Sequence, residues 1–121
     1  MSNLLKERDY YKPFSYPWAF EFYKKQQQMH WLPEEVPLQD DIKDYKEKLS
    51  EEERLLIDNI FRFFTQADVD VCCGYAKHYL PTFKQPEVRM MLVAFAAMEA
   101  VHQEAYSLLL ETLGKDDQMY Q

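Results

Sequence analysis

Glu99, His102 and Tyr106 stand in line within the stretch MEAVHQEAY, residues 98–106. At about 100° of turn per residue they fall within roughly a 60° arc of one helix face. Leu92, Phe95, Leu110 and Leu113 share that face, so it points at a core. A bare carboxylate there is costly unless it is protonated, paired or bound to a metal. Glu-x-x-His is the i, i+3 arrangement that aims an oxygen and a nitrogen ligand at one ion.

The preceding helical stretch carries the same anomaly. Phe61, Phe64, Asp68, Val71, Cys72 and Tyr75 follow helical spacing, which sets Asp68 on an apolar face. Asp70 falls about 200° away, beside Arg62, Gln66 and Lys77 on the polar side. Phase therefore selects Asp68 over Asp70 as a ligand. Two carboxylates and one imidazole make half of a carboxylate-bridged dinuclear site, a donor set that suits iron or manganese better than zinc. His30 and His78 lack such company and read as structural or solvated residues. Taken singly, a Glu-x-x-His is usually surface charge and a Tyr on a core stripe is usually packing. Three inward polar groups on two neighbouring helices together favour a metal site.

These residues need long helices to position them. Residues 1–14 read as an irregular arm, and Tyr16–Trp31 favours a helix with Pro17 in its first turn. LPEEVPLQDD, with two prolines, reads as an extended connector. Ser50 and Glu53 form a capping box that opens a helix running to about Tyr79. LPTFKQ is the turn. Pro86 starts the last helix and Gly114 ends it, giving a rod roughly 42 Å long at 1.5 Å per residue. Two such rods predict an antiparallel helix pair. Two helices alone cannot enclose both apolar stripes, and at about 25 cal/mol per Å² the wet surface would be expensive. A four-helix bundle completed from elsewhere is the natural solution.

The bulk properties agree with a helical, folded protein and argue against other classes. The chain has 121 residues, 47% hydrophobic and 16% aromatic, with two glycines, which suits one folded helical domain spanning 1–121. Its net charge of -7 and lack of a Lys/Arg cluster argue against nucleic-acid or anionic-membrane binding. Cys72 and Cys73 are adjacent and form no C-x-x-C pattern, so free thiols in a reducing cytoplasm are expected. No secretory leader or membrane-spanning run is read from the sequence.

At the same residues the sequence resembles a known family. MHWLPEEV, IFRFFTQADVDV, YLPTFKQPEV and AAMEAVHQEAY are similar, in this order, to successive blocks of the small, radical-generating subunit of class I ribonucleotide reductase. The resemblance covers about residues 16–114. It implies an all-α, ferritin-like helical bundle of which this chain supplies the N-terminal helices. It implies that Asp68, Glu99 and His102 hold the first metal, with Glu99 bridging. Tyr106 matches the tyrosine oxidised to a stable radical, and Trp31 the tryptophan that carries the radical towards the large subunit. Without the resemblance Trp31 reads as an ordinary aromatic anchor. The implied cofactor is dinuclear iron, with manganese or a mixed Mn/Fe pair as alternatives. The implied partners are the large subunit and a second small subunit.

The sequence also departs from the family pattern. The second half-site, a lone Glu and another Glu-x-x-His, has no counterpart after Gly114, where KDDQMYQ reads as a polar end over 115–121. The large-subunit docking tail has none either. A fragment, or a split subunit completed by another polypeptide, is therefore expected ahead of a self-completing dimer. Another ferritin-like di-metal oxidase and a non-catalytic helical assembly module are the competing readings. In the second, the polar stripe sets bundle register only.

Overall fold

The computed structural model describes residues 3–120, and among these there are helices, turns and bends but no strand. The chain forms α1 (Pro17–Gln28), a 3-10 turn (Pro33–Glu35), α2 (Gln39–Glu47) and α3 (Glu51–Gly74). A π-helical turn (Tyr75–Tyr79), α4 (Leu80–Thr82), α5 (Pro86–Thr112) and a final 3-10 turn (Asp117–Tyr120) follow. No helix of the described residues is long and apolar enough to cross a membrane.

The helix ends follow the local chemistry. At the start of α3 the Ser50 N–H donates to Glu53 Oε2 at 2.8 Å, and the Glu53 N–H donates back to Ser50 Oγ at 3.2 Å. This is the expected capping box. At the end of α5, Gly114 takes φ +82°, a backbone region that L side chains avoid. Gly114 N–H then reaches Glu111 O at 2.9 Å and Lys115 N–H reaches Leu110 O at 3.0 Å, the two bonds of a Schellman turn.

Two expectations need correction. The span LPEEVPLQDD is not extended: it holds a 3-10 turn and enters α2, which the sequence reading lacked. Leu38, Ile42, Tyr45 and Leu49 are spaced by four, three and four, a helical stripe that the two prolines obscure. The helix before LPTFKQ also runs further than expected, through the π turn to Thr82, with the break at Phe83–Gln85.

Contacts divide the molecule into two units. The first comprises the residues up to His30 with Asp70–Glu99. Its core is Ala19, Val88 and Leu92, against which Leu4, Tyr16, Tyr75, Leu80, Phe83 and Met91 pack. The described part of the arm is irregular, as expected, yet firmly held; Met1 and Ser2 lie outside the described residues. Arg8 donates to Glu87 through both terminal nitrogens, to Gln85 Oε1 at 2.9 Å, and to the carbonyls of Tyr10 and Tyr11 at 2.9 and 2.8 Å. Glu87 Oε1 also accepts the Ser15 and Tyr16 N–H groups, each at 2.9 Å. Burial alone would push the Glu87 carboxyl up. The Arg8 and backbone hydrogen bonds outweigh it and hold the pKa below the ordinary 4.5.

The second unit comprises Trp31–Val69 with the residues from Ala100 onward. Leu110, Leu113 and Tyr45 are buried in it. Asp58 joins α2, α3 and the C-terminal end: one oxygen accepts from Tyr45 Oη and the other from Lys115 Nζ, both at 2.7 Å. The bond to Asp58, then that to Tyr45, raises the Lys115 pKa against the opposing effect of burial. The expected polar end turns back, with Tyr120 Oη 3.1 Å from Ser107 Oγ; Gln121 lies outside the described residues. Leu56, Ile60 and Phe63 form an apolar strip of α3 that is 60%, 39% and 67% exposed.

Candidate metal centre

α5 delivers two of the three candidate ligands because its apolar period persists through the polar letters. Leu92, Met98, Leu110 and Leu113 are buried, while Glu99, His102 and Tyr106 are half-buried on the same rod. On α3 the phase argument separates the two aspartates as expected. Asp70 is exposed, whereas Asp68 is half-buried with its Oδ2 withdrawn from solvent. Phe64 and Val71, assigned to the same inward stripe, remain 43% and 46% exposed.

Asp68, Glu99 and His102 each offer a ligand atom, and these atoms all lie within 4.8 Å of one another. His102 follows Glu99 by one turn of α5. Ligand–metal bonds of about 2.0–2.2 Å span about 4 Å across one ion, so a slight side-chain adjustment would seat a cation. Two carboxylates with one imidazole is hard, oxygen-rich ligation of the kind iron and manganese accept. The residues present fit the implied metal.

The surroundings of these groups are aromatic. Within the second unit the Trp31 ring lies 6.2 Å from that of His102, inclined by 31°. The Tyr106 ring has Phe64 stacked on it at 5.9 Å and 16°, and Phe61 at 6.0 Å. Gln103 Nε2 donates to the Asp68 carbonyl at 3.2 Å, fixing α3 against α5 at the level of the ligands. Within the first unit Cys72 Sγ donates to Ala96 O at 3.6 Å and does the same one turn away. His30 and His78 are exposed and take no part.

Sequence reasoning gave Tyr75 a place on the apolar stripe but no role. Its phenol is pushed above the ordinary 10.0 by burial first, then by the Glu99 carboxylate and by Tyr79. The signal available in the sequence was its spacing, seven residues beyond Asp68.

Asp68 on one helix and Glu99-x-x-His102 on another are half of the carboxylate-and-histidine pattern that di-metal helical bundles carry. The comparisons with known proteins narrow this. The family profile of the ribonucleotide reductase small chain matches residues 8–121. The chain therefore belongs to the ribonucleotide reductase small-chain family.

Relatives of that name are close in sequence. A probable ribonucleoside-diphosphate reductase small subunit of Invertebrate iridescent virus 6 is 53% identical over 118 residues, covering 98% of this chain and 33% of the relative. The ribonucleoside-diphosphate reductase small subunit of Dictyostelium discoideum is 36% identical over 113 residues, 93% of this chain and 33% of the relative. The chain thus spans about a third of the length of these relatives. The ribonucleotide reductase Rnr4 homodimer from Saccharomyces cerevisiae matches in fold with a TM-score of 0.85 at 22% identity. That match covers 98% of this chain and 38% of the yeast one. The fold is accordingly all-α and ferritin-like, as the resemblance implied.

Proposed function

We propose that this chain supplies one half of the dinuclear metal centre of a ribonucleoside-diphosphate reductase small subunit. In this reading Tyr106 holds the radical that the large subunit uses to make deoxyribonucleotides. The observation that carries the reading is the convergence of Asp68, Glu99 and His102 within 4.8 Å in a chain of this family. Asp68 and His102 would be terminal ligands and Glu99 the bridging one. When bound, an iron pair, or manganese or a mixed pair, would supply the oxygen activation that no side chain performs.

The chain's own residues do the rest. Tyr106 stands one turn beyond His102, and its side chain leans back along the helix towards that residue. Phe61 and Phe64 pack on its ring and would limit the access of water and reductants to a phenoxyl radical. Trp31 would pass an electron between the centre and the large subunit; its ring packing beside that of His102 supports this. The second half-site comes from the other two-thirds of such a subunit, as a continuation of the chain or a completing polypeptide. Assembly as a homodimer, like the yeast relative, and residence in the cytoplasm complete the proposal. Residues 1–121 act as a single N-terminal domain of that assembly.

The test is reconstitution of the chain with its completing polypeptide, Fe(II) and O₂, followed by EPR. The expected result is a tyrosyl radical that is lost in Tyr106→Phe while the metal content stays at the parent level. A radical that survives Tyr106→Phe removes Tyr106 from the reading.

A further inference from the structure

Gln103 follows His102 directly and comes one turn after Glu99, about 40° round the helix from it. It is half-buried, and its Nε2 donates to the Asp68 carbonyl on α3 at 3.2 Å, across 35 positions of sequence. Both residues lie in the second unit. A carbonyl only accepts, so the contact needs the NH₂ end of the amide, and an ionised carboxylate at position 103 could not make it.

Asp68 lies inside α3, where the helical ladder already gives its carbonyl a donor. Satisfying that carbonyl therefore does not require Gln103. Packing does not require it either, because an apolar side chain fills such a position with no polar group to pair. What the bond adds is a fixed height of α3 against α5. Aspartate has one methylene between Cα and its carboxyl group, so a slide of the α3 backbone carries the ligand oxygen with it. A slip of one residue along a helix is about 1.5 Å. The ligand atoms of Asp68, Glu99 and His102 lie within 4.8 Å of one another and need about 4 Å across one ion, a margin smaller than that slip. The His102 ring has Trp31 beside it at 6.2 Å, and Gln103 steadies Asp68 from the next position of α5.

We propose that Gln103 is a positioning residue for the metal centre. By holding the Asp68 carbonyl it sets where the Asp68 carboxylate stands relative to His102, and so sets the affinity of the group for a divalent iron or manganese ion. The inference rests on the metal reading above. It assigns Gln103 no contact with the ion: the amide acts through the backbone of Asp68, and the tie runs from the residue beside one ligand to the carbonyl of another. Outer hydrogen bonds of this kind orient metal ligands in proteins and are felt in how tightly the metal is held.

The test compares Gln103→Met, which keeps the side-chain length and removes the donor, with Gln103→Asn, which keeps the donor one methylene short. Tyr120→Phe is the control, because it removes a 3.1 Å bond to Ser107 further along α5. Mn(II) is titrated calorimetrically into the chain assembled with its completing polypeptide, and the EPR fine structure of the bound ion reports the symmetry of its ligands. Both Gln103 variants should bind Mn(II) about ten- to a hundredfold more weakly than the parent, with an altered fine structure. Tyr120→Phe should keep the parent affinity and spectrum whatever its denaturant midpoint. Parent-like affinity and spectrum in Gln103→Met overturn the proposal. An equal loss in Tyr120→Phe also overturns it, since the effect would then come from loosening α5 in general. Should Gln103→Met not fold, Gln103→Asn decides by the same two readouts. A parent that binds no Mn(II) sinks the metal reading and this inference with it, whereas binding that ignores Gln103 sinks this inference alone.

Discussion

Replacing Arg8 by Met leaves Glu87 fully buried without its cation. Removing one partner of a buried ion pair costs about 3–5 kcal/mol. Two features soften the loss here. Glu87 keeps the Ser15 and Tyr16 N–H donors, and it sits in the first turn of α5, where the helix dipole favours an anion. The lower end of the range, about 3 kcal/mol, is therefore expected. For a chain of this size each kcal/mol moves the melting temperature by roughly 3–6 °C, so the variant should melt about 10–20 °C lower.

Urea unfolding followed by circular dichroism at neutral pH measures the difference directly. Its pH dependence separates charge from packing. The folded Glu87 pKa is depressed, so its contribution is present above the ordinary 4.5 and is lost as pH falls through the lower folded value. The gap between parent and Arg8→Met should narrow in that acid window, where Glu87 becomes neutral in both. A cost below about 1 kcal/mol at neutral pH, on the scale of an exposed pair, refutes the argument. So does a gap unchanged in acid.

Asp68→Ala should abolish tight Mn(II) or Fe(II) binding by the assembled centre, while Asp70→Ala should leave it intact; calorimetric titration distinguishes them. His102→Ala should behave as Asp68→Ala, and retention of parent affinity in both would exclude the metal reading. Gly114→Ala should destabilise the chain by about 1–2 kcal/mol, the cost of a left-handed residue with a Cβ, as read from denaturant midpoints. Since no atom lies within 4 Å of a Cβ built there, that cost is backbone strain alone and Asn should recover part of it.

Much of the candidate group was legible because its residues share helical phase. Asp68, Glu99 and His102 needed only the period of two helices, and Asp70 was rejected on the same ground. The helix ends at Ser50 and Gly114 were equally local. What escaped the sequence was either masked or non-local. α2 hid behind Pro33 and Pro37, although Leu38, Ile42, Tyr45 and Leu49 keep its stripe. The Arg8–Glu87 pair joins positions 79 residues apart, and nothing near either residue announces the other. The π turn depends on how Tyr75–Tyr79 packs, which α-helical periodicity does not encode.

The strip of Leu56, Ile60 and Phe63 has a thermodynamic consequence. Apolar side chains left in water contribute nothing to folding until something covers them, at which point folding and association become one equilibrium. The melting temperature of such an assembly climbs with the concentration of the covering surface and falls on dilution. A scan of melting temperature against protein concentration, and against added completing polypeptide, therefore identifies which surface covers α3.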